Sequence, residues 1–408
     1  MVLRIFPLFP VALYGIFVAL PASGATVSSS ACDLNAADAN LAGADCARAW
    51  FDANLRINEI QTVGTAESYK LRPSDSMLSL IKMGSSDDAK ALDFGQPAIV
   101  DQLKMGARSL EFDIAYDPKG GLYKIPAGAS MAGELVGDDY IAAMSTPGFK
   151  VIHILDIDFN SSCVTLASCL KSVASWSRAN TDHLPIIIAL KSNDDRTPMP
   201  GATRPAKFDS IVFDALDAEI RQIFKADELI TPDAVQGGHA TLREAVLARN
   251  WPKIGAARGK ILFLLDDTLQ KTAIYRGSRH SLEGRAMFVS TDDKSPAAAF
   301  VTVENPIKQA ASITADVKAG FMIHTFADAD TKEARSGSTL RRDWAVASGA
   351  QIVSTDFLVP DKRIGKYAVH LPKDHIGQCD VQLSPQHCVG RDIETGGDSQ
   401  LAVPASSP

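Results

Sequence analysis

Eight short runs of apolar and β-branched residues recur along this chain, with helix-like segments between them. Most runs are continuous rather than alternating, which is typical of parallel strands that are covered on both faces. Eight strands alternating with helices over about 300 residues predict an α/β protein, a closed (β/α)8 barrel of the TIM type. The predicted strands are Ile60–Thr65, Ser109–Tyr116, Lys150–Leu155, Pro185–Lys191, Lys260–Asp266, Ala286–Ser290, Phe321–Thr325 and Gln351–Thr355.

Amphipathic segments in the intervals supply the helices of this barrel. An open, doubly wound sheet is the structural alternative, but no glycine-rich dinucleotide-binding turn follows the first strand. The predicted helices are Ala98–Ala107, Leu166–Ala179, Asp214–Phe224, Thr241–Arg249, Ile307–Lys318 and Thr339–Ser348.

The first 24 residues have the composition of a secretory signal peptide. Arg4 precedes an apolar run at Ile5–Leu20, and small residues follow where cleavage is expected. The run is too short to favour a membrane span, and an uncleaved anchor is the alternative. The mature protein is therefore expected to begin near Gly24 or Ala25 and to be exported, either to the periplasm or outside the cell.

The remaining chain divides into three expected parts. A lead-in at 25–55 precedes a single barrel domain at 56–390. Residues 391–408 are rich in Gly, Ser and Pro, which predicts a disordered tail. The chain has 41 Lys and Arg against 48 Asp and Glu, a net charge of −7. This balance excludes a basic nucleic-acid binder, because phosphate contacts need concentrated positive charge.

Six cysteines are consistent with an oxidising compartment. Local pairing is the simplest of the 15 connectivities that six cysteines allow, and the spacings suit no zinc site. A disulfide cannot join two cysteines six residues apart on one helix, about 9 Å along its axis. The predicted helix at Leu166–Ala179 must then begin after Cys163. The expected couples are Cys32 with Cys46, Cys163 with Cys169, and Cys379 with Cys388.

Charged side chains are concentrated at the carboxyl ends of the predicted strands, where (β/α)8 barrels carry their chemistry. Glu111 and Asp113 lie two residues apart on one strand, so both point to the same side. Such carboxylates repel unless a cation compensates them. Ca²⁺ would compensate their charge by taking them as oxygen ligands, and the ammonium of Lys191 is the alternative cation. A structural ion pair at the barrel rim is the alternative to a functional role.

Several segments resemble the motifs of phospholipase C-like phosphodiesterases, and most closely the bacterial group named for Ca²⁺-dependent phosphoinositide phospholipase C. The stretch Ile60–Tyr69 is similar to a first motif that reads Gly-Thr-His-Asn-Ser-Tyr in the family. The resemblance covers about 46 to 365, in the expected order. The other matching segments are Ser109–Asp113, Phe149–Asp158, Ala327–Thr331 and Ser348–Asp356.

The resemblance implies a distorted barrel that cleaves phosphodiesters with two histidines, a general base and a general acid. It also implies Ca²⁺ held by one Asn and three acidic residues. His153 matches the second histidine, and Glu111 and Asp113 match two of the calcium ligands. Three positions depart from the pattern: Ala66 replaces the first histidine, Glu67 the Asn, and Lys191 the remaining glutamate.

These residues predict an exported phosphodiesterase with an altered active site. The expected catalytic residues are His153, Glu67 as the second proton carrier, and Lys191 as the charge that stabilises phosphate. The expected metal ligands are Glu67, Glu111 and Asp113, with Ca²⁺ as the cofactor, or with no cofactor if Lys191 replaces the metal.

The expected partner is a phospholipid or a small phosphodiester substrate. No nucleic acid and at most peripheral membrane contact are expected, and the chain is expected to be monomeric. One alternative is a barrel that binds inositol- or sugar-phosphate headgroups without turnover. A glycoside hydrolase using the carboxylates as its acid–base pair is a further alternative.

Overall fold

A computed structural model describes residues 32–34, 43–383 and 390–397 of the chain. Its strands join one sheet in which most neighbours are parallel. The strands are β1 (Ile60–Thr65), β2 (Ser109–Asp117), β3 (Gly148–Val151), β4 (Ile186–Ser192), β5 (Ile261–Leu265), β6 (Met287–Val289), β7 (Phe300–Val303), β8 (Met322–Phe326), β9 (Ile352–Thr355) and β10 (Gly377–Cys379).

Helices follow most of the strands and cover the outside of the sheet. The longest, α7 and α8, begin at side-chain caps, because Thr165 and Asp209 accept hydrogen bonds from the first turn. The helices are α1 (Ala44–Asn54), α2 (Asp75–Gly84), α3 (Ser86–Ala91), α4 (Ile99–Lys104), α5 (Ala127–Ala132), α6 (Asp138–Met144), α7 (Leu166–Ala179), α8 (Ser210–Ile223), α9 (Pro232–Gln236), α10 (Leu242–Leu247), α11 (Ile254–Ala257), α12 (Leu269–Arg276), α13 (Ala310–Ala319), α14 (Lys332–Ser336) and α15 (Leu340–Ala347).

The parallel strands form a nearly closed barrel, which confirms the predicted (β/α)8 fold. They follow the order β6-β5-β4-β2-β1-β9-β8-β7, and a parallel bridge between Ser290 and Phe300 connects the two ends. β5 consists wholly of Ile, Leu and Phe, β4 begins with five apolar residues, and all of these are buried. Apolar burial on both faces of these strands makes the barrel interior and the helix-covered outside one continuous core.

One predicted barrel strand is wrong. The run at Lys150–Leu155 contributes only β3, which pairs antiparallel with the outer end of β2 and lies off the barrel path. β2 therefore pairs directly with β4, and the eighth barrel strand is β7, between β8 and β6, which was not among the predicted strands. β7 is only four residues long and half-buried at Val301 and Thr302, so it lacks a continuous buried run.

The chain between β2 and α7, residues 118–165, forms an excursion from the barrel. It contains α5, α6 and β3. Side chains from the excursion pack with α2 into a small apolar cluster of their own, beside the main core. The members of this cluster that lie on the excursion include Tyr123, Ala129, Met144, Ile152, Leu155 and Phe159.

Two of the predicted disulfides are present. Cys32 bonds to Cys46, and Cys163 bonds to Cys169. As expected, α7 begins only at Leu166, after Cys163. The third predicted couple involves Cys388, which lies outside the described residues, as does the predicted signal peptide at 1–24. Within the described ranges, no helix has both the length and the apolar composition that a bilayer span requires.

The first part of the predicted disordered tail is instead packed against the barrel. Ile393 is fully buried. Glu394 accepts hydrogen bonds from the Arg108 guanidinium, with Nε at 2.6 Å, and from the backbone N–H of Leu184 at 2.9 Å. These contacts hold residues 391–397 beneath the starts of β2 and β4, because charge pairing and burial offset the entropy of ordering them. Residues 398–408 lie outside the described residues.

Removing the Glu394 charge should destabilise the fold, because the Arg108 side chain is only 2% exposed. We expect Glu394→Gln to lower the free energy of unfolding by about 3 kcal/mol, since a buried guanidinium loses its counter-charge. Urea unfolding measures this loss. Burial opposes ionisation of Glu394, but Arg108 outweighs it and lowers the pKa of the carboxyl. The difference should therefore shrink as the pH falls through that lowered pKa.

Asp330→Asn is the matched control, because Asp330 pairs with Lys332 at the exposed surface. That variant should change stability by less than about 0.5 kcal/mol. Equal effects of the two substitutions would contradict a role for Glu394 in fastening the tail.

Candidate active site

A cleft of about 790 Å³ opens at the carboxyl ends of the barrel strands. The residues that line it lie on or directly after β1, β2 and β4 to β7, together with one residue from the excursion. Every site residue predicted from the sequence lines this cleft. These residues are Glu67, Glu111, Asp113, His153 and Lys191.

Glu67 occupies a turn immediately after β1. Its φ of 45° is in the left-handed region, which a non-glycine residue adopts only where its surroundings hold it. The turn is fixed by hydrogen bonds from the N–H of Lys70 to Glu67 O and from the N–H of Ser68 to Glu111 O. Because of this turn, the Glu67 carboxylate reaches the cleft, and its Oε1 lies 3.0 Å from His153 Nε2.

Both ring nitrogens of His153 contact carboxylates. Nε2 faces Glu67, and Nδ1 lies 2.8 Å from Asp158 Oδ2. The ring belongs to the loop after β3, and Asn193 at the end of β4 anchors that loop by donating to His153 O at 2.7 Å. His153 therefore lies on the excursion and not on a barrel strand as predicted.

The charge of His153 is favoured by its two carboxylate neighbours. Burial of the imidazole opposes protonation, but attraction to Glu67 and the bonds to Asp158 and Glu67 outweigh it, so the pKa of His153 is well above its ordinary value. The pairing also affects Glu67. Burial alone would raise the pKa of its carboxyl, but His153 outweighs burial, so the pKa of Glu67 is lowered. At neutral pH the pair is an imidazolium and a carboxylate.

Asp158 is fully buried and is balanced by a second cation that sequence reasoning missed. Lys70 Nζ lies 3.3 Å from Asp158 Oδ2, and both side chains are 0% exposed. Lys70 also donates to the carbonyls of Leu92 and Phe94, each at 2.8 Å. No pattern in the sequence marks Lys70, because its partners come from distant segments that only the fold brings together.

The acidic pair on β2 faces Lys191 on β4. The parallel register pairs Asp113 with Lys191, and Lys191 Nζ lies 2.9 Å from Glu111 Oε1. Asp113 Oδ2 accepts a hydrogen bond from the Tyr69 hydroxyl at 3.1 Å. Burial, together with repulsion by Glu111 and Glu67, raises the pKa of Asp113 to about 7 against the opposing pull of His153 and Lys191.

Three carboxylate oxygens of the residues that line the cleft are enclosed by the protein. Glu67 Oε2, Glu111 Oε2 and Asp113 Oδ1 are buried and have no hydrogen-bond partner among the described residues. Leaving these buried oxygens unpaired is costly, a cost that the surrounding fold offsets.

The donor atoms close enough to share a metal ion differ from the predicted set. In the part of the chain that the structure describes, they belong to Glu67, His153 and Asp158 and lie within 4.8 Å of one another. Of the predicted ligands, only Glu67 is among them. The arrangement suits Ca²⁺ poorly, because Ca²⁺ takes oxygen ligands and an imidazole stands between the two carboxylates. Lys191 already occupies an oxygen of Glu111.

The far side of the cleft contains a second ordered carboxylate. Asp266, after β5, accepts hydrogen bonds from His324 Nδ1 at 2.9 Å and from Thr302 Oγ1 at 2.7 Å. His324 Nε2 in turn contacts Ser354 Oγ at 2.8 Å. These residues lie on or directly after β5, β7, β8 and β9, towards the end of the barrel that holds the cleft.

Acidic and basic side chains are thus paired at the mouth of a (β/α)8 barrel. The chain belongs to the family described as "Phosphoinositide phospholipase C, Ca2+-dependent", whose model matches residues 55–380. The resemblance noted in the motifs is thereby confirmed. No protein among the curated ones matches the chain.

Solved structures of similar proteins come from several bacteria. The Ca²⁺-dependent phosphoinositol-specific phospholipase C of a Pseudomonas species is 16% identical, with a TM-score of 0.47 over 75% of this chain and 91% of that one. The Ca²⁺-dependent phosphatidylinositol-specific phospholipase C of Streptomyces antibioticus is 18% identical, with a TM-score of 0.47 over 74% and 94%. The Listeria monocytogenes phosphatidylinositol-specific phospholipase C is 14% identical, with a TM-score of 0.43 over 78% and 96%.

Neutralising Glu67 should make the His153 imidazolium easier to deprotonate. We expect Glu67→Gln to lower the pKa of His153, because an adjacent opposite charge is removed. The imidazole resonances followed by NMR across a pH titration measure the shift.

Glu304→Gln is the matched control, since Glu304 lines the same cleft on the opposite side. Its titration should coincide with that of the unmodified protein. An unchanged His153 midpoint in Glu67→Gln would show that Glu67 does not hold the charge on the ring.

Proposed function

We propose that the protein is an exported phosphodiesterase that cleaves a phosphodiester of a phospholipid or related headgroup by acid–base catalysis. The observation that carries the proposal is His153 held between Glu67 and Asp158 at the barrel mouth. The family supports a phosphodiester substrate. Two disulfides support an oxidising compartment, periplasmic or extracellular. Membrane contact is peripheral at most, and the protein acts as a monomer.

His153 is the general acid in this proposal. Its imidazolium gives the Nε2 proton to the alcohol oxygen that leaves phosphorus as the P–O bond breaks. Asp158 fixes the ring through Nδ1 at 2.8 Å. Glu67 keeps the ring charged until the proton is transferred, and its lowered pKa makes it a poor base. Glu67, the second proton carrier expected from the sequence, is therefore assigned to positioning and charging His153.

Asp113 is better suited to the second proton transfer. Its pKa of about 7 is close to the pH at which a general base is most effective. Its Oδ1 has no hydrogen-bond partner among the described residues, while the Tyr69 hydroxyl holds Oδ2. The ionised carboxylate accepts the proton of the attacking hydroxyl, from the substrate or from water, as the new O–P bond forms. Asp113 thus takes the role of general base, which the Ala66 side chain cannot fill.

Lys191 is proposed to stabilise the phosphoryl oxygens in place of a metal. Its side chain is 37% exposed in the cleft, so the ammonium is accessible to a substrate phosphate. A fixed positive charge at developing negative charge is a recurrent source of transition-state stabilisation. The residues present do not fit the Ca²⁺ for which the family is named, because Lys191 pairs with Glu111 and His153 pairs with Glu67.

Removing the imidazole tests the assigned acid. We expect His153→Ala to lower the turnover of a phosphodiester substrate about 10²–10⁴-fold, the usual effect of losing one acid–base group. A panel of phosphodiesters that includes phosphatidylinositol, assayed by release of the headgroup, measures the loss.

His280→Ala removes an exposed histidine that does not line the cleft and should retain full activity. Circular dichroism should show that both variants remain folded. Undiminished activity in His153→Ala would refute the mechanism, whatever the substrate.

Reversing the charge at position 191 tests the metal assignment. The unmodified protein should bind Ca²⁺ weakly or not at all, and a chelator should leave its activity unchanged. Lys191→Glu should create or tighten a Ca²⁺ site, because it adds a carboxylate to Glu111 and Asp113 where a hard cation fits.

Isothermal titration calorimetry with Ca²⁺ measures both affinities, and Lys332→Glu, at the exposed surface, is the matched control. Tight Ca²⁺ binding by the unmodified protein would overturn the proposal that Lys191 replaces the metal.

The second candidate function is headgroup binding without turnover, which Ala66 at the position of the first family histidine favours. The same substrate panel separates the two functions. Hydrolysis of any member supports the enzyme, whereas binding of a headgroup phosphate with no hydrolysis of any member supports the binding protein.

A further inference from the structure

A second cavity, of about 580 Å³, adjoins the cleft at His153. Its walls come from α2, α5, the loop after β3 and the loop after β4. The lining is mainly apolar, and its main apolar side chains are half-buried apart from Met131, which is 52% exposed. We call this cavity the apolar groove, after Leu80, Ile81, Met131, Ile154, Ile157 and Met199.

One buried carboxylate connects the walls of the apolar groove. Asp156 is 4% exposed, and its φ of 71° is in the left-handed region. It accepts a hydrogen bond from the N–H of Ala127, at the start of α5, at 2.9 Å. It also accepts hydrogen bonds from the N–H and the hydroxyl of Thr203, in the loop after β4, at 2.7 and 2.9 Å. The groove is therefore preorganised, which lowers the cost of binding a ligand.

The apolar groove and the cleft meet at two shared residues, His153 and Asn193. Asn193 donates to the carbonyls of Ile152 and His153 at 3.0 and 2.7 Å, so the loop at this junction is fixed. A general acid must lie within hydrogen-bond reach of the oxygen that leaves. With His153 as that acid, the leaving alcohol starts at the junction and extends along the cleft, into solvent or into the apolar groove.

The chemistry of the two cavities decides where an apolar leaving group would lie. In the cleft it would displace water from charged side chains such as Lys191 and Glu304, which is costly. In the apolar groove it would cover side chains such as Ile157 and Met199, and burial of apolar surface is favourable. Apart from His153, the charged side chains that line the groove are exposed and stay in contact with water: Asp88, Asp195 and Arg196.

We propose that the apolar groove binds a hydrocarbon chain of the leaving alcohol, and that Met131 and Met199 determine how tightly the chain is held. This inference rests on the proposed phosphodiesterase function and specifies the leaving group of its substrate. The volume of the groove is within the range of pockets that bind one small molecule, about 300–1,000 Å³. The protein therefore binds the chain of a single dissolved molecule, with no need for a lipid surface.

The experiment measures affinity against chain length with probes whose bond to the chain cannot be hydrolysed. The probes are the monomethyl esters of butyl-, hexyl- and octylphosphonic acid, in which a P–C bond replaces the P–O bond to the leaving alcohol. Dissociation constants are measured by NMR titration of labelled Met methyl groups, below the concentration at which the esters aggregate. We expect the octyl ester to bind about 10²-fold more tightly than the butyl ester, because each added methylene contributes about fourfold. The methyl resonances of Met131 and Met199 should shift.

A double variant, Met131→Gln with Met199→Gln, tests whether the groove holds the chain. Glutamine is close to methionine in size and neither side chain is fully buried, so the variant should remain folded by circular dichroism. The advantage of the octyl over the butyl ester should fall about tenfold or more, because the chain would desolvate two amide groups. Met131→Gln alone should reduce the advantage in the same direction, and it serves if the double variant is unstable.

Met83→Gln is the matched control. Met83 lies on α2 and is 79% exposed, but it does not line the apolar groove. This variant should retain the full advantage of the octyl ester.

Several outcomes would overturn the inference. These are equal affinities for the three esters, an advantage of the octyl ester that the double variant retains, and shifts at Met83 in place of Met131 and Met199. A chain-length effect seen only above the aggregation concentration would assign the groove to a lipid surface. Dimerisation driven by the octyl ester, detected by sedimentation velocity, would assign it to a second copy of the chain. Either result would overturn the inference as well.

The failure of the groove and the failure of the catalysis are distinguishable, because the probes report binding alone. If affinity rises with chain length as expected but no phosphodiester is hydrolysed, the proposed catalysis fails while the groove stands. If phosphodiesters are hydrolysed but affinity does not depend on chain length, the groove fails while the catalysis stands.

Discussion

Asp158 is a fully buried carboxylate balanced from two sides, by Lys70 at 3.3 Å and by His153 at 2.8 Å. A buried charge without such partners would cost several kcal/mol, so the three groups stabilise one another. Lys70 also contacts the carbonyls of Leu92 and Phe94 in the segment between α3 and α4. These ion pairs and hydrogen bonds therefore hold the loop after β1, the excursion and the His153 ring in fixed positions relative to one another. The geometry of the cleft depends on it.

The remaining cleft charges are matched in a similar way by the barrel itself. The parallel register of β2 and β4 pairs Asp113 with Lys191, and Lys191 contacts Glu111 at 2.9 Å. Carboxylates that would otherwise need a cation from solution are compensated by the polypeptide. In a family described as Ca²⁺-dependent, this compensation is the physical basis for proposing catalysis without the metal.

The barrel and most of the cleft could be predicted because their signals are local. Continuous apolar runs predict buried strands, and the spacing of Glu111 and Asp113 predicts a shared face. The remaining features depend on contacts between distant segments. An apolar run such as Lys150–Leu155 does not show whether its strand will be parallel or antiparallel, and Glu394 meets Arg108 across a separation of 286 residues. The positive φ of Glu67 is likewise imposed by the packed turn.

The excursion that carries His153 has an apolar cluster of its own, whereas the carboxylates on β2 belong to the barrel. The two clusters adjoin at β2 and β3, since Ala115 belongs to the small cluster and Phe149 and Val151 belong to the main core. Parts of a fold with fewer buried contacts form units that open at a lower free energy than the core. The small cluster buries less apolar surface than the main core, so it is the one to open first on heating. Opening would withdraw the imidazole from Glu67 while the barrel stays folded. Thermal inactivation would then precede the loss of secondary structure, and the working temperature of the protein would be limited by the smaller unit.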